Sequence, residues 1–203
     1  MPKTDQTLYR TPFTPAYWAS ARRDMGRLNL LVFAALMVAM ARALSLIPSI
    51  PIAHTKMSFG FLARALCALV CGPVMGLLYG FVEDILGFVL QPSGQFFFGY
   101  TLSTMLGMLV YAMCLYRARV SMFRLLLANL IVNVFINAAL GTVWTMMMLG
   151  GNYWILFGGS LAKNLVTIIP KSMLLYILFQ ALLPILQRMG VIPRQISGSI
   201  RFF

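Results

Sequence analysis

Two adjacent acids, Glu83 and Asp84, interrupt an apolar stretch from Gly72 to Leu90 that otherwise reads as a membrane span. A charged side chain at the centre of such a helix costs about 2.5–3.5 kcal/mol on insertion scales, so acids there face a partner or a wet cavity. The whole chain has only four acids, which makes this placement informative. Asp84 lies about six residues, roughly 9 Å, below the outer end of its helix. Arg42, Arg64 and Lys163 fall about five, six and eight residues below the outer ends of three other apolar helices. Charged groups from four helices therefore share one layer in the outer half of the membrane. Two chemistries fit: a polar cavity that takes a charged ligand, or ion pairs of Arg42 or Arg64 with Glu83 or Asp84. Neighbours on a helix point about 100° apart. Asp84 is accordingly expected to face the ligand, with Glu83 as a structural ion-pair partner. Lys56, in an outer loop, is a further candidate cation, and Lys171 lies deeper as a structural partner.

Polar groups on the fifth span extend the pattern. Asn129, Asn133 and Asn137 recur every four residues, and the same face continues through Gly141 to Trp144. Such a ladder suits a pocket wall, and equally suits polar glue between helices. Phe96, Phe97, Phe98, Tyr100, Tyr153 and Trp154 gather at outer helix ends as an interfacial belt. Gly76, Gly80 and Gly87 share one face of the third span, where a helix could approach closely. Ala35, Ala39 and Ala43 form a smooth stripe on the first span that suits a partner helix.

The elements that must position these residues are membrane helices. Hydrophobic residues make up 61% of the 203, and the mean hydropathy is +0.86. Apolar runs of about 20 residues match the bilayer core. The expected fold is an all-α integral membrane bundle of six helices, over 27–47, 58–70, 72–90, 97–116, 121–149 and 155–186, with Pro170 as a kink in the last. Residues 1–26 read as a cytosolic tail, 27–187 as the membrane domain and 188–203 as a second cytosolic tail. Arginines cluster before the first span (Arg22, Arg23, Arg27), between the fourth and fifth (Arg117, Arg119, Arg124) and after the last (Arg188, Arg194, Arg201). An even number of spans puts all three clusters on one side, which the positive-inside rule makes the cytoplasm. Both termini are then cytoplasmic, and the loop at 48–57 is outside.

Several functions are disfavoured. The net charge of +12 would suggest nucleic acid in a soluble protein; here topology and anionic lipid account for it. Cys67, Cys71 and Cys114 lack metal-ligand spacing, and His54 is the sole histidine, so neither a metal nor a cofactor is expected. No phosphate-binding glycine loop, H-E-x-x-H or G-x-S-x-G occurs, so the chain is not expected to be an enzyme.

Ser58-Phe-Gly-Phe-Leu62, Gly72-Pro73, Gly80-Phe-Val-Glu-Asp84-Ile-Leu-Gly87 and Phe98-Gly-Tyr-Thr-Leu-Ser103 with Gly107 resemble the S components of energy-coupling factor (ECF) transporters, most closely the folate-type members. The resemblance spans about 28–186 and is specific over 58–117. It implies a six-helix, multi-pass protein of the bacterial cell membrane that captures a vitamin near the outer face. It also implies association with a transmembrane coupling subunit, through the Ala35, Ala39 and Ala43 stripe, and with two ATPases that supply the energy. Folate suits the residues. Asp84 could accept two N–H groups of a pterin, Trp144 or Tyr153 could stack on it with Asn137 in the wall, and Arg42, Lys56, Arg64 or Lys163 could meet the glutamate carboxylates. The alternatives are another vitamin or heteroaromatic nutrient, or a structural membrane scaffold whose buried charges are all paired.

Overall fold

A computed structural model describes residues 8–9, 11–47, 50–52, 55–92 and 95–193. In chain order the elements are α1 (Pro15–Met25), α2 (Leu28–Leu46), the short antiparallel strands β1 (Ile50–Ile52) and β2 (Thr55–Met57), α3 (Gly60–Leu90), α4 (Phe98–Leu115), α5 (Met122–Ile131), a π-helical segment (Val132–Leu140), α6 (Gly141–Leu149) and α7 (Tyr153–Arg188). The run from α5 to α6 is one continuous rod, Met122–Leu149. Among the described residues, five helical stretches, α2, α3, α4, this rod and α7, are long and apolar enough to cross a membrane. Leu36, Val89, Phe135 and Ile177 are among the large apolar side chains left exposed on their outer faces, as helices packed in lipid require.

The architecture turns on Gly72. Its φ of 79° and ψ of −176° break α3 within its length, in a region essentially reserved for glycine. Pro73 follows, disfavouring helical backbone at the residue before it while suiting the start of a new helix. On one straight helix, residues 19 apart would be separated by about 28 Å. Arg64 Nε instead lies 2.9 Å from Glu83 Oε2, so the arms 60–71 and 73–90 run antiparallel, side by side. The Cys71-Gly72-Pro73 turn expected from the sequence is thus a true reversal, although the two arms form one helical element. A Cβ on Gly72 would stand 2.9 Å from the Tyr116 ring, which seals the turn.

α3 packs most extensively against α4 and α2. Gly80 lets the Met105 backbone approach to 2.9 Å of where a Cβ would be, and Gly76 rests on Met108. Gly87 sits on the same face but meets Arg42 of α2 instead. Tyr79 donates to the Met37 carbonyl at 3.2 Å, joining α3 to α2. The core between them is apolar and fully buried at Cys67, Met75, Leu125, Leu175 and Phe179.

Part of the segment read as a polar tail is helical. Pro15 opens α1 at its first turn. Tyr17, Ser20, Ala21 and Asp24 are buried, and this i, i+3, i+4, i+7 stripe faces the bundle. Tyr17 donates to the Ala112 carbonyl at 3.0 Å and meets Tyr116 edge-on. Asp24 accepts from Tyr116 Oη at 2.6 Å and Arg117 Nη2 at 2.9 Å. Burial, and then the hydrogen bond to Asp24, push the Tyr116 phenol well above its ordinary pKa, so it remains a donor. The loop at 48–57 carries the β1–β2 hairpin, where the sequence suggested no regular structure; His54 lies outside the described residues. At the other end of the chain, α7 runs through both Pro170 and Pro184. Residues 188–193 are described, whereas Arg194 and Arg201 are outside the described residues.

Gly72→Ala should destabilise the protein by at least about 2 kcal/mol, from backbone strain and displacement of the Tyr116 ring. Gly76→Ala, whose Cβ would find its nearest neighbour at 3.7 Å, should be close to neutral. Thermal melts of the two variants in detergent check this; equal melting temperatures would mean that the reversal tolerates a side chain.

Candidate functional site

The α3 reversal brings its two arms together at a charged centre. Glu83 is fully buried. Arg64, on the opposite arm, grips both its oxygens, Nε to Oε2 at 2.9 Å and Nη2 to Oε1 at 3.0 Å. Arg42 reaches the same carboxylate from α2 through Nη2. Its guanidinium crosses α3 over Gly87, where a Cβ would collide with it. One carboxylate therefore joins α2 and both arms of α3. Glu83 alone balances one of the two arginines; Asp84, which lines the same cavity as both, brings the second negative charge.

Asp84 points elsewhere, as the helical offset between neighbours requires. Thr101 donates to Oδ2 at 2.7 Å and Thr104 to Oδ1 at 3.2 Å. The two threonines stand one turn apart near the start of α4, within Phe98-Gly-Tyr-Thr-Leu-Ser-Thr104. Each carboxylate oxygen keeps further acceptor capacity, and the side chain is half-buried against a cavity.

Three cavities meet around Arg64. The largest, 570 Å³, lies among Arg42, Arg64, Asp84, Phe88, Phe96 and Tyr100. A second, 260 Å³, is enclosed by Arg64, Asp84, Ser103, Asn133, Asn137 and Lys171. The third, 400 Å³, is lined by Arg42, Ser45, Arg64, Lys163, Thr167 and Lys171. Among the described residues, neither Lys163 nor Lys171 is paired with a carboxylate. The space around Arg64 thus has the Asp84 carboxylate on one side and Lys163 and Lys171 on the other.

The wall opposite α3 is a hydrogen-bonded polar column. Tyr111 donates to Asn129 Oδ1 at 2.7 Å, and Asn129 donates to Ser172 Oγ at 2.8 Å. Asn133 Oδ1 accepts from Lys171 Nζ at 2.9 Å and from Asn137 at 3.4 Å. Asn133 and Asn137 lie in the π-helical segment, whose wider turns recur at functional sites. Asn129 and Asn133 are buried and act within the wall, while Asn137 is exposed to the cavity.

Other sequence candidates scatter. Trp144 stands behind these cavities, donating to Ser103 Oγ at 2.9 Å and packing on Phe97. Tyr153 stacks on Phe157 and lines none of the three cavities. The Lys56 backbone is in β2, and its side chain lies outside the described residues. Ala35, Ala39 and Ala43 are all exposed along α2. Sequence reasoning did not single out Thr101, Ser103 or Thr104 for the site; the available signal was hydroxyls at i and i+3 on a helix that also carries glycines for close packing.

Residues 29–188 match the family described as ECF transporter, substrate-specific component. The chain belongs to this family. It is a multi-pass protein of the bacterial cell membrane and a transporter component, not an enzyme. Among its relatives, the folate transporter FolT of Clostridium novyi (strain NT) is 28% identical over 152 residues, covering 75% of this chain and 88% of the relative. The folate transporter FolT of Leuconostoc mesenteroides subsp. mesenteroides is 29% identical over 94 residues, covering 46% of this chain and 51% of the relative. A crystal structure of FolT bound with folic acid shares the fold, with a TM-score of 0.64 at 24% identity, covering 73% of this chain and 89% of that one.

In this ECF component, Glu83→Gln should leave two arginines without their counter-charge and cost about 3–5 kcal/mol. Arg42→Gln should cost less, because the bidentate Arg64 contact survives. Chemical or thermal unfolding in detergent reads both; a Glu83→Gln protein as stable as wild type would remove the ion pair from the fold's essential contacts.

Proposed function

We propose that this chain is the folate-capturing subunit of an ECF transporter. The observation that carries the reading is the polarity of the space around Arg64: a threonine-held carboxylate at Asp84 on one side and, on the other, Lys163 and Lys171, which pair with no carboxylate among the described residues. Folate has the matching polarity. Its pterin offers adjacent N–H donors to a carboxylate, and its glutamate brings two negative charges to Arg42, Arg64 and Lys163. The relatives' names point to the same vitamin. In this reading Asp84, Arg42, Arg64, Asn137 and Lys163 contact the ligand. Lys56 is the remaining candidate cation for the ligand, and Trp144 supports the pocket from behind rather than stacking in it.

The same proposal sets the topology and partners. Counting the arms of α3 separately gives six membrane helices, with both termini cytoplasmic. Arg22, Arg23, Arg119 and Arg188 are exposed at the α1 end, which the positive-inside rule assigns to the cytoplasm. The cavity then opens outward. The exposed alanines of α2 serve as the docking stripe for the coupling subunit, and partner ATPases supply the energy. Residues 1–26 and 188–203 remain on the cytosolic side of the 27–187 membrane domain.

Calorimetry in detergent tests the assignment. Folate should bind the wild type, and Asp84→Asn should weaken it about 10–100-fold, the worth of one or more hydrogen bonds to a charged group, with little change in melting temperature. A well-folded Asp84→Asn protein of unchanged affinity would overturn the role of that carboxylate. Absence of folate binding by the wild type, with binding of another vitamin from a panel, would replace the substrate but keep the class.

Pteroate, which lacks the glutamate, should bind more weakly than folate. Lys163→Gln should shrink that difference, whereas it should persist in Arg119→Gln. If Lys163→Gln leaves the folate-to-pteroate ratio untouched, the cation-rich cavity is not where the tail lodges.

A further inference from the structure

Thr101 departs from what the other hydroxyls on these helices do. A threonine on a helix commonly donates back to a carbonyl about one turn earlier. Thr142 and Thr145 donate to the Ala138 and Gly141 carbonyls at 2.6 and 2.9 Å, and Thr167 to that of Asn164 at 2.8 Å. Thr104 is divided: its Oγ1 lies 3.2 Å from Asp84 Oδ1 and 3.1 Å from the Tyr100 carbonyl. A hydroxyl carries one proton, so Thr104 serves these acceptors in turn. Thr101 is fully buried, and its hydroxyl donates across the helix pair to Asp84 Oδ2 at 2.7 Å.

This reach is built into the packing of α3 on α4. Gly80 stands four residues before Asp84, and Met105 four residues after Thr101. The contact of Gly80 with Met105 and that of Asp84 with Thr101 are therefore one turn apart along an antiparallel pair. A Cβ on Gly80 would stand 2.9 Å from Met105 Cα. Its absence draws α4 close enough for a side chain as short as threonine to bridge the two helices.

What the bridge supplies is orientation. The χ2 torsion of an aspartate has no sharp rotamer wells, so an untethered carboxylate turns about its Cβ–Cγ bond. A flat ligand that offers two parallel N–H groups needs both oxygens in its own plane. Thr101 fixes Oδ2, and with it that plane, from the protein side: Asp84 lines both the 570 and the 260 Å³ cavities, whereas Thr101 lines neither. We propose that Thr101 is the positioning residue that holds the Asp84 carboxylate in the plane of the ligand's heterocycle, and thereby selects rings with an amino group beside a ring N–H. Thr104 is dispensable for this selection, because the Tyr100 carbonyl takes its proton equally well. The inference rests on the folate reading above and adds to it the residue that sets the acceptor geometry.

Two folate analogues with a quinazoline ring test it: 5,8-dideazafolate, which carries the 2-amino group, and its 2-methyl counterpart, which keeps the N3–H, the 4-oxo group and the glutamate. Calorimetry of the full-length protein in detergent gives the ratio of their affinities, from which the tail contacts cancel. The wild type should prefer the 2-amino compound about 10–100-fold, the worth of a hydrogen bond to a charged group. Thr101→Val, nearly the same shape, should bring the ratio to within about threefold of unity by weakening the 2-amino compound alone. Thr101→Ser, which keeps the hydroxyl, should retain the preference, and so should Thr104→Val. If Thr101→Val does not fold, Thr101→Ala carries the same expectation. A folded Thr101→Val protein that keeps the wild-type preference, or loses both compounds in equal measure, would overturn the positioning role, as would a Thr104→Val protein that loses the preference just as fully. A wild type that binds folate but takes both analogues equally would overturn it too, while leaving folate capture in place. A wild type that binds no folate would instead remove the reading on which the inference rests.

Discussion

The buried carboxylate of Glu83, shared by Arg42 and Arg64, is the contact on which the rest of the structure hangs. Two charges in an apolar bundle are costly to desolvate, and the cost is offset only when geometry is good and the remaining polar atoms are satisfied. The bidentate Arg64 contact supplies the geometry, while Arg42 Nε is buried without a hydrogen-bond partner among the described residues. The Arg64 contact also fixes α3 as a hairpin, because Arg64 and Glu83 lie on its two arms. Arg42 adds α2 to the same centre. Both arginines also line the cavity that Asp84 faces, so the centre that holds the helices together presents its charges to that cavity.

Membrane helices were legible in the sequence because bilayer thickness imposes a length on apolar runs. The reversal at Gly72-Pro73 was legible too, since few other dipeptides both stop one helix and start another. Depth counting brought Arg42, Arg64, Asp84 and Lys163 to one layer, and all four line the adjoining cavities. What the sequence left open was which arginine meets which acid. That choice is tertiary: it depends on the rotation of α2 against α3, set by the space over Gly87. Thr101 and Thr104 were equally hidden, because a hydroxyl on a membrane helix commonly satisfies its own backbone, as Thr142 does with Ala138.

Other elements escaped for different reasons. The buried stripe of α1 includes Ser20 and Asp24, polar residues that dilute a hydrophobic pattern; their burial is intelligible only beside Tyr116 and Arg117, nearly a hundred residues on. The π-helical segment leaves no composition signature, yet it sets how Asn133 meets Lys171. The β1–β2 hairpin is three residues a side, too short for an alternating pattern to declare itself.

The two ends of the protein are mechanically joined through α3. Tyr116 seals the Gly72 turn with its ring and ties α1 down with its hydroxyl. The register of the two arms is therefore set at the α1 end. Glu83 lies eleven residues beyond that turn, about 17 Å along the arm, and a helix transmits such a displacement almost undiminished. A shift of the turn by one residue would rotate the arm by about 100° and bring Asp84 to the place Glu83 now holds. Arg64 would then face the carboxylate that now meets Thr101 and Thr104. The division of labour between the two neighbouring acids, one holding the bundle and one facing the cavity, thus depends on an aromatic ring packed on a glycine at the opposite end of the bundle.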